Sequence, residues 1–147
     1  MNTYNIWTDG GSRGNPGPAA VGVVIRGPDF EDGFGEYIGD TTNNVAEYRA
    51  VISALHRLKA RIGTDAARDA SVVVRADSQL VVRQALGEYK VKEPGLKQLF
   101  LELWNARGDF KSVDFIHIPR EENGKADAFV NEALDARVAS QRQRNLV

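Results

Sequence analysis

Four carboxylates in this 147-residue chain stand in comparable places. Asp9 ends the β-forming run TYNIWT and opens the turn-rich stretch DGGSRGNPGP. Glu47 follows Asp40-Thr41-Thr42-Asn43-Asn44, a row of cap-type residues, at the head of an amphipathic segment. Asp77 closes the short apolar run SVVVRA, and Asp127 stands just inside the last amphipathic segment, after PREENGK. Each has a local explanation. Asp9 could be an incidental acid in a tight turn, Glu47 could favour a helix dipole, and Asp77 could cap a helix. Together they share one address, because strand carboxyl ends and helix N-termini gather along the edge of an α/β sheet where such folds bind ligands. Carboxylates crowded into one cleft repel unless a cation lies between them. The chain has no cysteine and two histidines, His56 and His117, so the cation should be hard: magnesium, with manganese as a substitute. Two such ions about 3.5–4 Å apart activate a water and stabilise the leaving oxygen of an in-line displacement. The matching chemistry is phosphodiester hydrolysis.

The elements that must carry these acids emerge from periodicity. Residues 3–8, 19–26 and 30–39 read as three strands, close enough in sequence to pair consecutively and antiparallel. Tyr48, Val51, Ile52, Leu55, Leu58 and Ile62 recur at helical spacing, with Asn43 or Asn44 as N-cap and Glu47 in the first turn. After a polar link over 63–69, residues 71–76 form a fourth strand, parallel to an earlier one through the helical crossover. Asp77 then doubles as strand end and N-cap of QLVVRQAL. A loop over 87–94 leads to a third helix at 95–107, with Leu96, Leu99, Phe100, Leu103 and Trp104 on one face. Residues 113–118 alternate as a fifth strand. A loop over 119–124 precedes a last helix, which starts near Lys125 and has Asp127 in its first turn.

The totals suit one domain, expected over 1–138, with a polar tail at 139–147. Hydrophobic residues make up 42% and charged residues 27%, at a net charge of −1, so bulk charge does not hold this chain to nucleic acid. The N-terminal MNTYNIW is not a signal peptide, and no apolar run is long enough to span a membrane. The expectation is a cytoplasmic monomer with no membrane association and no obligate protein partner. No Walker or Rossmann glycine pattern leads directly into a helix, which speaks against a small phosphorylated ligand.

TDGGSRGNPGP, TNNVAEY, ADSQLVVRQ and PREENGKAD, in this order, resemble the motifs of type 1 ribonuclease H, and the likeness runs from about residue 3 to residue 135. It implies a ribonuclease H-like α/β fold, a five-stranded mixed sheet flanked by helices in the order β-β-β-α-β-α-α-β-α. It implies metal-dependent endonucleolytic cleavage of the RNA strand of an RNA/DNA hybrid, leaving 5′-phosphate and 3′-hydroxyl ends. Matching positions make Asp9, Glu47, Asp77 and Asp127 the catalytic, metal-binding acids. They turn Asn15, Asn43, Asn44 and Gln79 toward the substrate backbone and sugars, with Thr42 near a phosphate, and the main-chain amides around Gly10, Gly11 and Ser12 can approach the sugar-phosphate chain because glycine leaves room. These types suit a 2′-hydroxyl, which both donates and accepts, as asparagine and glutamine do. Such contacts carry no base code, so little sequence preference is expected.

Two departures from the family pattern matter. The basic protrusion that some members carry is reduced here to GEYKVKEPGLK, with Lys90, Lys92 and Lys97, so the DNA strand should be held less tightly. The histidine-bearing loop before the last aspartate is shortened to HIPREENGKAD, and His117 falls inside the predicted strand as a structural residue. Arg120, facing the scissile phosphate, and Glu121, adjusting the metal or product release, are the auxiliary candidates; a surface ion pair is the plainer reading of both. The alternatives to a hybrid-specific nuclease are a broader ribonuclease that also cuts double-stranded RNA and a hybrid-binding module without catalysis.

Overall fold

The computed structural model describes residues 2–145. Strand β1 (Thr3–Ser12) continues beyond Thr8 through both glycines, because β2 (Gly17–Arg26) pairs with it antiparallel until Ser12 lies opposite Ala19. Strand β3 (Glu31–Thr41) adds to β2 in the same sense, with a register shift at Ala19/Ala20. Helix α1 (Asn43–Ile62) then crosses the sheet. Strand β4 (Ser71–Ala76) returns parallel to β1, and β5 (Ser112–His117) lies parallel to β4. The sheet order is β3-β2-β1-β4-β5. Helices α3 (Gln79–Ala85) and α4 (Pro94–Arg107) connect β4 to β5, and α5 (Gly124–Asn145) closes the described chain after a single 3-10 turn at Arg120–Glu122.

Besides these strand extensions and the 3-10 turn, the helices depart from expectation in four places. The link after α1 contains a short helix, α2 (Thr64–Arg68), which adds one element to the expected order. Gly63, at φ 89°, ends α1, and the helix-tolerant Asp65-Ala66-Ala67 makes one more turn with Ala67 buried. The N-cap of α1 is Thr42, not Asn43 or Asn44; its hydroxyl accepts the Val45 N–H at 3.2 Å. Ser78, not Asp77, caps α3 by accepting the Val81 N–H. The polar residues 139–145, expected as a tail, continue α5 as exposed helix, while Leu146 and Val147 lie outside the described residues.

One face of the sheet is covered by α1, α3 and α4. Ile6, Val72 and Val74 of the strands meet Leu55, Leu58 and Leu103 of the helices in a fully buried layer. Truncating any of these leucines to alanine costs about 2–5 kcal/mol. Trp104 does not join that layer. It follows Leu103 by about 100° around α4, is 56% exposed, and lies between Phe100 and the Arg107 guanidinium. On the opposite face, α5 covers β2 and β3 through Val130 and Leu134 against Ala20. Its approach depends on Gly22, where a Cβ would sit 2.0 Å from the Ala126 carbonyl oxygen. Main chain therefore packs on main chain here, one residue before Asp127.

Candidate active site

The last register pair between the parallel strands β1 and β4 is Thr8 with Ala76. Asp9 and Asp77 are the next residues, so parallel pairing alone sets two carboxylates side by side at the strand carboxyl ends. Glu47 comes from α1. It lies in the second turn, not the first, so its position reflects packing rather than the helix dipole. What brings it close is Gly10. A Cβ there would fall 2.3 Å from the Ala46 carbonyl carbon and oxygen and 2.5 Å from the Glu47 nitrogen. The sequence suggests that this glycine makes room for a ligand; at position 10 it makes room for the helix. Gly11 keeps the open role, its nearest neighbour being the Val130 side chain at 3.7 Å.

Asp9, Glu47 and Asp77 each offer an oxygen within 4.8 Å of the others'. Asp9 and Glu47 are buried, and Glu47 Oε2 has no hydrogen-bond partner. Burial first, then the charge of Asp77, pushes the Asp9 carboxyl up to about 7. Burial first, then the charge of Asp9, raises Glu47 well above the usual carboxylate range, although the Gly10 N–H pulls the other way. An all-oxygen group with an orphaned buried oxygen, in which burial and neighbouring charge disfavour the ionised form of Asp9 and Glu47, fits a hard divalent cation.

Asp127 lines the same cleft from the first turn of α5 but stands outside that close trio. It is exposed, and Asn131 one turn on donates to its main-chain oxygen at 3.2 Å and to its carboxylate at 3.4 Å. Gly10, Gly11, Ser12, Asn43, Asn44 and Arg120 also line the cleft. Asn43 Oδ1 accepts from the Ser12 N–H at 2.9 Å and from its hydroxyl at 3.1 Å, while the Asn43 N–H donates to Asn15 Oδ1 at 3.0 Å. Asn15 is exposed, does not line the cleft, and braces Asn43, which is tied to the β1–β2 turn rather than capping α1. That leaves Asn44 exposed beside it.

Thr42 is spent as the cap. Gln79 is exposed at the start of α3, and neither it nor Glu121 lines the cleft. His117 ends β5, with Nε2 3.2 Å from the Asp77 carbonyl oxygen, where it braces a strand end. A buried polar chain supports the short loop after Gly87: the Tyr48 hydroxyl donates to Gln84 Oε1, and Gln84 Nε2 donates to the Lys90 carbonyl at 3.1 Å. Three polar residues near the acids emerge only from the structure. Arg13 lines the cleft next to Ser12, and Asn131 sits at i+4 from Asp127, a spacing that places them on one helix face. Asn123 is 1% exposed and donates to Asp77, and only its place in the turn Asn123-Gly124 distinguishes it in the sequence.

A family model described as reverse transcriptase-like matches residues 7–133. The chain is 41% identical over 138 residues to the bifunctional protein Rv2228c of Mycobacterium tuberculosis, covering 92% of this chain but 36% of that one. It spans about a third of the length of such mycobacterial relatives. It is 42% identical over 134 residues to ribonuclease HI of Halobacterium salinarum, covering 89% of this chain and 64% of the relative. Among solved structures, LC11-RNase H1 in complex with RNA/DNA hybrid superposes with a TM-score of 0.83 at 48% identity, over 92% of this chain and 99% of that one. With the four acidic motifs in order, the five-stranded mixed sheet and these matches, the chain belongs to the type 1 ribonuclease H family, in its short form with a reduced basic protrusion.

Proposed function

We propose that this chain hydrolyses the RNA strand of RNA/DNA hybrids endonucleolytically with two magnesium ions, leaving 5′-phosphate and 3′-hydroxyl ends, and that residues 1–138 form the catalytic domain. One observation carries the reading: the convergence of Asp9, Glu47 and Asp77 within 4.8 Å around an unpaired buried oxygen. The similarity to a protein solved with RNA/DNA hybrid supports the substrate class. Asp9, Glu47, Asp77 and Asp127 would hold the ions, which supply charge neutralisation and an activated water when bound. A bound cation would favour the ionised form of these raised carboxyls. Ser12 and Asn43, locked to each other, and Asn44 beside them present donors and acceptors suited to ribose and phosphate. Arg120 at the cleft rim contributes positive charge toward a phosphate. No helix among the described residues is long and apolar enough to cross a membrane. We assign the protein to the cytoplasm as a monomer, to be checked by fractionation and sedimentation.

The test is cleavage of end-labelled RNA/DNA, RNA/RNA and DNA/DNA duplexes of one sequence, with and without magnesium. Magnesium-dependent cutting of the hybrid's RNA strand alone is expected. Cutting of both RNA-containing duplexes would favour the broader ribonuclease, a reading prompted by the few lysines of the loop after Gly87. Binding of the hybrid with no cutting in magnesium or manganese would refute the catalytic assignment.

A further inference from the structure

We infer that Asn123 is the positioning residue that sets the Asp77 carboxylate and locks three of the acidic elements together, an inference that rests on the metal-binding reading above. Asn123 lies between the 3-10 turn and α5, and its side chain is buried. Its Nδ2 donates to the Thr8 carbonyl at 2.8 Å and to Asp77 Oδ2 at 3.1 Å. Both partners are acceptors, so only the NH2 end of the amide can face them, and the orientation of the side chain is fixed by chemistry. Its main-chain N–H donates to the Arg120 carbonyl at 3.0 Å, and its carbonyl accepts the Asp127 N–H at 3.1 Å. One residue thus touches the strand end just before Asp9, the carboxylate of Asp77, the turn carrying Arg120 and the first turn beneath Asp127.

Asn123 Oδ1 has no hydrogen-bond partner in the protein, so the polar contacts of the side chain all run through its NH2 group. The side chain is held by its two N–H groups alone. Tethering Oδ2 of Asp77 restricts the carboxylate's rotation and leaves its other oxygen free to turn toward a cation shared with Asp9 and Glu47. Groups that orient a metal-binding side chain from behind typically change metal affinity or activity by about 10–100-fold when removed.

The experiment uses the full chain with Asn123→Ala and Asn123→Ser. Serine is a good residue before a helix, so this variant protects the fold, but its hydroxyl cannot bridge both acceptors. Manganese binding without substrate is measured by calorimetry, kcat and KM on the hybrid are then determined, and melting confirms folding. Expected for both variants are weaker manganese binding and a kcat lower by about 10–100-fold, with KM for the hybrid unchanged. Folded variants that bind manganese and turn over like the wild type would overturn the inference and leave the functional reading intact. So would a raised KM at unchanged kcat, which would make Asn123 a substrate contact. A wild-type chain that neither binds manganese nor cuts the hybrid would instead overturn the functional reading, and this inference with it.

Discussion

Asp9→Asn separates the electrostatics of the site from its catalysis. In the folded, metal-free protein the Asp9 carboxyl is raised from 3.8 to about 7 by burial and then by Asp77. A raised carboxyl favours folding fully below the unfolded value, near 3.8, and that contribution disappears as pH rises through about 7. At pH 8 the folded chain therefore carries an ionised, buried Asp9 at a cost. Roughly three pK units at 1.36 kcal/mol each come to about 4 kcal/mol. At pH 5 the proton is still bound in the folded state, and most of that cost is gone. Asparagine keeps the shape and removes the charge, so in EDTA at pH 8 the variant should melt roughly 8–16 °C above wild type, at about 2–4 °C per kcal/mol for a chain of this size. The gap should shrink at pH 5. Adding magnesium should stabilise the wild type more than the variant, and hybrid cleavage by the variant should nearly vanish. A variant that melts at or below wild type at pH 8 without metal, or that cuts normally, would refute the account of a strained acid cluster relieved by cations.

Gly10→Ala should destabilise by about 3 kcal/mol or more, since its Cβ meets main chain that cannot yield. Gly11→Ala should fold with a near-normal melting temperature and lose hybrid affinity instead, so equal melting losses in the two variants would contradict these separate roles. Glu47→Gln should lower kcat by roughly 100-fold or more, beyond the usual effect of a group behind a metal ligand, with circular dichroism unchanged; a smaller loss would remove Glu47 from the reaction. Replacing Lys90 and Lys92 with alanine should reduce the slope of log affinity against log salt by about 0.9 per lost phosphate contact while kcat holds, and an unaltered slope would place the DNA strand elsewhere.

Strand periodicity and the acidic motifs disclose most of this fold. Parallel pairing of β1 and β4 is a consequence of the helical crossover, and with it comes the adjacency of Asp9 and Asp77. The cap residues are harder to read. Asn43, Asn44 and Thr42 are all competent caps, and the choice of Thr42 depends on Ser12, 31 residues away in sequence from Asn43, which claims the Asn43 side chain. Asp77 and Ser78 pose the same ambiguity, resolved in favour of serine because Asn123 engages the aspartate. Helix α2 is hidden because five residues carry too little periodicity to register.

Gly10 marks a deeper limit. Its sequence announces a place where something comes close, but not what that something is. The answer is the α1 main chain, and this changes how the site is understood. Gly22 does the same for α5 on the other face of the sheet. The helices carrying Glu47 and Asp127 are therefore placed by contacts between main chains, which have no rotamers to relax. Side-chain packing around them can vary while the acids keep their spacing. Repulsion among those acids then cannot be relieved by the helices drifting apart. The same close packing buries Asp9 and Glu47, and that burial, with the repulsion second, raises both carboxyls and makes a cation the natural relief.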